Sequence, residues 1–90
     1  MEALDGNAIA GLLHEIFGTE MTTATGVCGT CGLAAQVAET VVYLQAPGVV
    51  VRCRVCSSIL MVVVDVRGRK CVDLLGLVSL EEAKVDRVAD

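Results

Sequence analysis

Aromatic residues are almost missing from this sequence: its 90 residues include one Phe, one Tyr and no Trp. The core must therefore be built from Val, Leu, Ile, Ala and Met, which lack the large buried area of aromatic rings. Hydrophobic residues make up 54% of the chain and charged residues 20%, a composition that excludes a disordered chain. We expect one small domain over residues 1–90, which at this size is marginally stable unless something besides its core supports it.

Targeting signals are also missing. The start, "MEALDGNA", holds two acids and no base, so it lacks the positive segment that opens a signal peptide. The longest apolar run, "ILMVVV" at 59–64, is far shorter than the roughly 20 residues that cross a bilayer. These absences predict a cytoplasmic protein without membrane contact. Thiols stay reduced in the cytoplasm, so paired cysteines favour metal binding over disulfides.

Catalytic arrangements are the third absence. The sequence contains no Ser–His–Asp set, no glycine-rich phosphate loop and no predicted metal site with an open position. Its single histidine, His14, has no second histidine or matched carboxylate and is expected to be a solvated surface residue. We therefore expect a protein that is not an enzyme and has no evident small-molecule substrate.

Four of the five cysteines form two matched clips, each with two residues between the cysteines. The first clip is Cys28 and Cys31, the second is Cys53 and Cys56, and 21 residues separate them. A two-residue spacing lets a tight turn direct both sulfurs at one ion, and two such turns joined by a hairpin close a tetrahedral four-sulfur site. The alternative, four merely buried thiols, does not explain the matched spacing. We predict that these four cysteines are metal ligands.

Zinc is the expected occupant, with one ion per chain, because a closed four-sulfur site leaves no position for water. The energy of binding it would become folding energy for a small domain. Iron in a rubredoxin-like electron carrier is the alternative, since iron shares the preference for tetrahedral thiolates. Against iron, rubredoxins pack aromatic rings around the metal, and Ser57 follows the last cysteine where those proteins usually have glycine.

Hydrophobic periodicity predicts a small metal-stabilised α+β fold. A helix is expected over residues 4–18, capped by Asp5 or Asn7 and ended by Gly18. Its apolar stripe recurs at helical spacing and comprises Ile9, Leu12, Leu13, Ile16 and Phe17. A polar tail over 79–90 starts with a capping box at Ser79 and Glu82, which predicts a short helix that frays.

Residues 26–75 are predicted to form an antiparallel zinc ribbon with an extra β-hairpin. A strand near 39–45 is followed by a Pro47–Gly48 turn and a strand leading to Cys53. The second hairpin has Gly68 at its tip. Its first strand, 59–66, is apolar on both faces until Asp65, which implies cover on two sides: the helix on one, a second chain or a partner protein on the other.

Positive charge is concentrated in the middle of the chain. Residues 52–70 hold five bases against one acid, a net charge of +4 in a chain of net charge −4. If the hairpins stack, these bases share one end of the sheet; otherwise they are scattered solvated charge. A transcription-related ribbon that contacts DNA or polymerase is an alternative, but nucleic acid is not the expected partner because Tyr43 is the only aromatic platform among the bases. The bases are Arg52, Arg54, Arg67, Arg69 and Lys70.

The fifth cysteine, Cys71, lies on the last predicted strand beside Lys70 and Asp73. It is either a reactive thiol with a pKa lowered by neighbouring bases or a small buried hydrophobe. The second interpretation is the commoner one for a lone cysteine in a strand.

Four segments, "LDGNAIAGLLHEIFGTEMTTA", "CGTCG", "VVYLQAPGVVVRCRVC" and "LMVVVDVRGRKCVDLLG", resemble a family of small actinobacterial proteins of unassigned function with a predicted zinc ribbon. The resemblance covers residues 4–80 and matches the family's metal ligands to the four clip cysteines. It implies an actinobacterial, cytoplasmic origin and no activity. Relatives encoded beside ferredoxin-reductase-like and molybdopterin oxidoreductases imply an accessory role near redox enzymes. The expected function is a non-catalytic zinc ribbon that contacts an unknown protein partner or a second copy of itself.

Overall fold

The computed structural model describes residues 3–45 and 48–82, which form a small α+β fold with antiparallel sheets, as predicted. The strands are β1 (Leu4–Asp5), β2 (Thr25–Cys28), β3 (Ala34–Gln36), β4 (Val41–Gln45), β5 (Gly48–Arg52), β6 (Ile59–Val66), β7 (Arg69–Asp73) and β8 (Leu77–Glu81). A five-stranded sheet has the order β1-β4-β5-β6-β7, and a three-stranded sheet has the order β3-β2-β8.

The predicted N-terminal helix is present, but it begins later than residue 4. A 3-10 turn, Gly6–Ile9, leads into helix α1, Ala10–Phe17. Leu4–Asp5 is instead a strand paired with β4. The predicted caps are confirmed: Asp5 Oδ1 accepts from the Asn7 N–H at 3.0 Å, and Gly18 ends the helix with φ of 75°. No helix within the described residues has the length and apolar character needed to cross a membrane.

The core lies between α1 and one face of the five-stranded sheet. Leu13 of α1 and Val42 of β4 are completely buried, and Val51 of β5 is nearly so. The buried cluster is aliphatic and methionine-rich, as the composition predicted, and Phe17 only packs at its margin. Its members are Ile9, Leu13, Met21, Ala24, Val37, Val42, Val51, Met61 and Val63.

The opposite face of the five-stranded sheet, which we call the outer face, is also apolar. Tyr43, Val50 and Val62 align across three strands on this face and are half-buried, outside the core cluster. Cover of β6 by α1 on one side is thus confirmed. Cover of the outer face by another chain stays a prediction.

The predicted helix at the start of the tail is wrong within the described residues. Ser79 lies inside β8, which pairs with β2. Leu80 of β8 packs against the main core and Leu77 against a second cluster near the cysteines. Burial of these side chains and pairing with a distant strand outweigh a local capping box, whose worth is about 1 kcal/mol. Residues 83–90 of the predicted tail lie outside the described residues.

Of the two predicted turns, the second is confirmed. Arg67 and Gly68 form a two-residue turn between β6 and β7, with φ of 54° and 81°. Positive φ at both positions marks the turn type that fits the twist of a hairpin. In the first turn Pro47 lies outside the described residues, and Gly48 begins β5.

The bases do not share one end of the sheet. Arg52 pairs with Ile59 where β6 begins, whereas Arg67 follows Val66 where β6 ends. The eight residues of β6 separate the two groups by about 23 Å, at roughly 3.3 Å per residue. Of the two interpretations, a shared end is therefore wrong, because β6 runs from the second clip to the hairpin turn and puts the two groups at opposite ends.

Candidate metal centre

All four clip cysteines converge at one end of the five-stranded sheet. Their Sγ atoms lie within 4.8 Å of one another. Two of the separations are 3.6 Å, between Cys28 and Cys56 and between Cys31 and Cys53. Sulfurs bound to one tetrahedral ion at about 2.3 Å lie about 3.8 Å apart, whereas a disulfide needs about 2.05 Å. The four thiols are free and are arranged to hold one metal ion.

Each clip is closed by the same pair of backbone hydrogen bonds. In the first, the Cys28 N–H donates to the Leu33 carbonyl at 2.9 Å and the Gly32 N–H donates to the Cys28 carbonyl at 3.0 Å. In the second, Cys53 takes the place of Cys28. Its N–H donates to the Ser58 carbonyl at 2.9 Å, and its carbonyl accepts from the Ser57 N–H at 3.0 Å. Two equivalent tight turns therefore present their sulfurs to each other.

Backbone amides inside the turns donate to the sulfurs. The N–H groups of Thr30 and Cys31 lie 3.4 Å and 3.5 Å from Cys28 Sγ. The Val55 N–H lies 3.4 Å from Cys53 Sγ. Such donors stabilise thiolate over thiol, which is the form that binds metal.

Each clip supplies one inner and one outer sulfur. Cys28 and Cys53 are buried, whereas Cys31 is exposed and Cys56 is half-buried. The two inner cysteines pack with Leu60 in a second apolar cluster and line a cleft between the two sheets. An ion held here would be dry on its inner side and reachable from solvent on its outer side.

The protonation of the thiols differs across the site. The N–H groups of Cys31 and Thr30 lower the pKa of Cys28, and the Ser58 hydroxyl and N–H lower the pKa of Cys56 to about 6. At Cys31 the Leu33 N–H lowers the pKa, but partial desolvation of its sulfur and the neighbouring sulfurs outweigh it and raise the pKa to about 12. A metal ion that binds here must displace the Cys31 proton, so binding releases acid and weakens as the pH falls.

A model of a family of unknown function, DUF6510, matches residues 1–85. The chain belongs to this family. No curated protein and no solved structure matches it. The four-cysteine cluster and the two sheets therefore show how this part of a DUF6510 chain arranges a candidate metal site.

Sequence reasoning missed a contact in the DUF6510 chain that anchors the first clip. The Gly29 N–H donates to the Gly76 carbonyl at 2.9 Å, and Gly76 itself lies against the backbone of Ile59 and Leu60. A Cβ on Gly76 would overlap the Ile59 carbonyl oxygen. Nothing local in the sequence signals this contact, because it joins segments from three separate parts of the chain.

The two arginines beside the second clip lie in different environments. Arg52 Nη1 donates to the Ser57 carbonyl at 2.8 Å and so fastens the turn from outside. Arg54 is exposed. Because both flank Cys53 in the sequence, we expect them to offset part of the negative charge of four thiolates around a metal ion.

Two further residues singled out in the sequence lie away from the cluster. His14 is exposed on α1, as expected. Cys71 is exposed on β7, so its assignment to a buried position is wrong. Its side chain shares the outer face with Val64 because the two residues are paired.

Ser57 occupies a backbone conformation that suits glycine. Its φ is 65°, nearly that of Gly32 (78°) at the equivalent position of the first clip. A residue with a Cβ is strained by about 1–2 kcal/mol in this conformation, whereas glycine is not. Glycine loses more conformational entropy on folding, which offsets part of this advantage. We expect Ser57→Gly to stabilise the metal-bound protein by about 0.5–1 kcal/mol, measured by chemical denaturation.

The matched control exchanges the two residues in the opposite sense. Gly32→Ser should destabilise by a similar amount, and a protein carrying both substitutions should lie near the wild type. Equal stability of all three variants would show that the left-handed conformation is not strained at either clip.

Proposed function

We propose that this protein binds one zinc ion through Cys28, Cys31, Cys53 and Cys56 and acts as a non-catalytic protein–protein interaction module. The observation that carries the proposal is the convergence of four sulfurs within 4.8 Å of one another from two equivalent turns. Four thiolates around zinc form a closed coordination shell, which stabilises a fold and leaves no position for substrate. The same site suits iron by ligand type, and the choice between the metals is made by experiment.

A docking surface lies at the metal end of the molecule. Four of the six exposed large hydrophobic residues within the described part of the chain are in or next to the segments that hold the clips. Val55 lies inside the second clip and Ile59 just after it. Leu75 and Val78 lie on either side of the start of β8, next to Gly76, whose carbonyl accepts the hydrogen bond from Gly29 of the first clip. Leu75 is 90% exposed and Val78 is 71% exposed. We call these four residues the metal-end patch.

The patch supports a role in protein contact because exposed apolar groups gathered in one region mark interaction sites. The metal would organise the segments that display it. An accessory role beside redox enzymes fits such a module, since it requires a stable binding surface and no catalytic group. The nucleic-acid alternative is less well supported, because Arg52 and Arg67 lie at opposite ends of β6.

The proposal is tested by metal analysis and partner capture on the same purified sample. We expect a colourless protein with one zinc per chain that retains a partner from native lysate. Replacing Leu75 and Val78 by aspartate should abolish retention without changing metal content, whereas Leu44→Asp, an exposed residue on β4, should change neither.

Two outcomes would contradict the proposal. A red protein with iron and thiolate charge-transfer bands would indicate the electron carrier. Retention of the same partner by the Leu75 and Val78 variant would show that the metal-end patch is not the docking surface.

A further inference from the structure

Within the part of the chain that the structure describes, the five-stranded sheet ends at β7. β7 pairs with β6 through five consecutive residue pairs without a register shift, and within residues 3–45 and 48–82 no strand pairs with its other side. An edge of this kind presents backbone donors and acceptors that another strand can use. The opposite edge, β1, has only two residues.

Alternation along the hairpin identifies the backbone groups at this edge. The two-residue turn makes Val66 and Arg69 a hydrogen-bonded pair. Hydrogen-bonded and non-hydrogen-bonded pairs alternate in an antiparallel ladder. Arg69, Cys71 and Asp73 therefore bond to β6, and the N–H and C=O groups of Lys70 and Val72 face the open edge.

The charges on β7 are arranged symmetrically about Cys71. Arg69 and Asp73 each lie two residues from it, carry opposite charge and are exposed. All three share the outer face, because they pair with Val66, Val64 and Val62 of β6. The strand is thus self-complementary: if two copies of β7 are aligned antiparallel about Cys71, Arg69 of each copy lies opposite Asp73 of the other.

We propose that two copies of this chain associate through β7, antiparallel and centred on Cys71, to form one continuous ten-stranded sheet. Arg69 then lies opposite the partner's Asp73, and the partner's Arg69 lies opposite Asp73. Lys70 and Val72 exchange four backbone hydrogen bonds with their counterparts. This dimer deepens the proposed function, because it names a second copy of the chain as one protein partner. The dimer rests on the proposed function only in that respect, since no residue of the metal-end patch lies in β7.

The register follows from the same pattern. Centring the pair on Lys70 would oppose Arg69 to Cys71, and centring it on Val72 would oppose Asp73 to Cys71, so both registers lose the ion pairs. Lys70 does not disturb the chosen register, because its ammonium is held over the core face by Asp65 at 3.1 Å and Glu15 at 3.8 Å.

Another open edge, β8, is less suited to pairing. Its ladder with β2 contains a register shift between Val27 and Cys28, and such irregularities twist an edge away from a new strand. Pairing of β8 with its own copy about Ser79 would oppose Leu77 to Glu81, an apolar residue to an acid. The charge pattern therefore favours β7.

The test is a charge exchange followed by the molar mass of the metal-loaded protein in sedimentation or light scattering. The wild type should show twice the mass of the 9.4-kDa chain, with dissociation promoted by salt. Arg69→Asp and Asp73→Arg should each weaken self-association about tenfold or more, since each puts like charges opposite each other twice. Mixing these two variants should restore the dimer, and so should combining both substitutions in one chain.

Arg67→Asp is the matched control. It makes the same change in net charge as Arg69→Asp, two residues away in the turn, where Asp accepts positive φ more readily than Arg. This variant should dimerise like the wild type. Circular dichroism and metal content of every sample separate loss of association from loss of the fold or of the zinc site.

Cross-linking gives an independent readout. Cys71 and the partner's Cys71 form a non-hydrogen-bonded pair with Cα atoms about 4.5 Å apart, within the disulfide range of about 4.4–6.8 Å. Diamide, which takes up two hydrogens as two thiols join, should link wild-type chains and leave Cys71→Ser unlinked. A monomeric wild type, or a dimer that both charge reversals leave intact, would overturn the proposal.

Discussion

Cys53→Ser is expected to leave the chain unfolded and without metal. Structural zinc contributes an apparent binding free energy of about 10–16 kcal/mol in small zinc-dependent domains, whereas whole domains are stable by about 5–15 kcal/mol. Cys53 is also buried against Leu60, so the new hydroxyl would lie in an apolar cluster. Loss of helical and sheet signal in circular dichroism, together with loss of zinc in elemental analysis, is the measurement.

Cys71→Ser is the control for this prediction. Cys71 is exposed on β7 and lies outside the four-sulfur cluster, so its replacement should preserve both the fold and the metal content. A well-folded, metal-free Cys53→Ser protein would contradict the view that metal binding supplies the folding energy that this aliphatic core lacks.

Gly76→Ala is expected to destabilise the protein by about 3 kcal/mol and to lower its Tm by more than about 10 °C. A Cβ on Gly76 meets backbone atoms of Ile59 and Leu60, which cannot move aside as a flexible side chain could. Any shift of residue 76 also strains the Gly29 hydrogen bond and thereby the first clip. Thermal unfolding of the metal-loaded protein, with metal affinity measured by chelator competition, checks both effects.

Gly11→Ala is the matched control, since it makes the same substitution where space is open. A Cβ at Gly11 meets no atom within 4 Å, and the residue lies inside α1. Alanine in a helix interior is more stable than glycine by about 0.5–1 kcal/mol, so this variant should unfold at a slightly higher temperature. If Gly76→Ala behaved like Gly11→Ala, the close approach of residue 76 to β6 would be incorrect.

The two proposed interaction surfaces, the metal-end patch and the edge of β7, consist of different residues. The metal-end patch lies beside the clips, whereas the proposed dimer is centred on Cys71; the two surfaces meet only at Asp73, whose Oδ1 accepts from the Leu75 N–H at 2.9 Å. A dimer formed through β7 would therefore leave both metal-end patches free. One dimer would then present two metal-end patches. Arg69→Asp should weaken self-association without changing partner retention by the patch, whereas Asp73→Arg also removes the hydrogen bond to Leu75.

Several features were predictable because they depend on short stretches of sequence. The two-residue spacing in each clip fixes a turn that directs both sulfurs to one side, so the spacing alone was enough to predict that Cys28, Cys31, Cys53 and Cys56 cluster. The apolar stripe identified α1, and Gly68 marked the second hairpin. The near absence of aromatics foretold a core of aliphatic residues and methionine.

Other features depend on which distant segments meet. Ser79 has the local pattern of a helix cap, yet β2 lies beside it and draws residues 77–81 into a strand. The bases Arg52 and Arg67 look like one cluster in the sequence, but the length of β6 separates them. The anchoring role of Gly76 exists only because Gly29 and Ile59 converge on it.

The sequence by itself determined the two cysteine clips, the helix and the aliphatic composition of the core, because each of these follows from local spacing or from composition. The tertiary structure alone decided the second sheet, the exposure of Cys71, the left-handed conformation of Ser57 and the open edge at β7. These follow from the order in which the strands pair, and strand order is set by contacts between residues far apart in the chain, which local patterns do not encode.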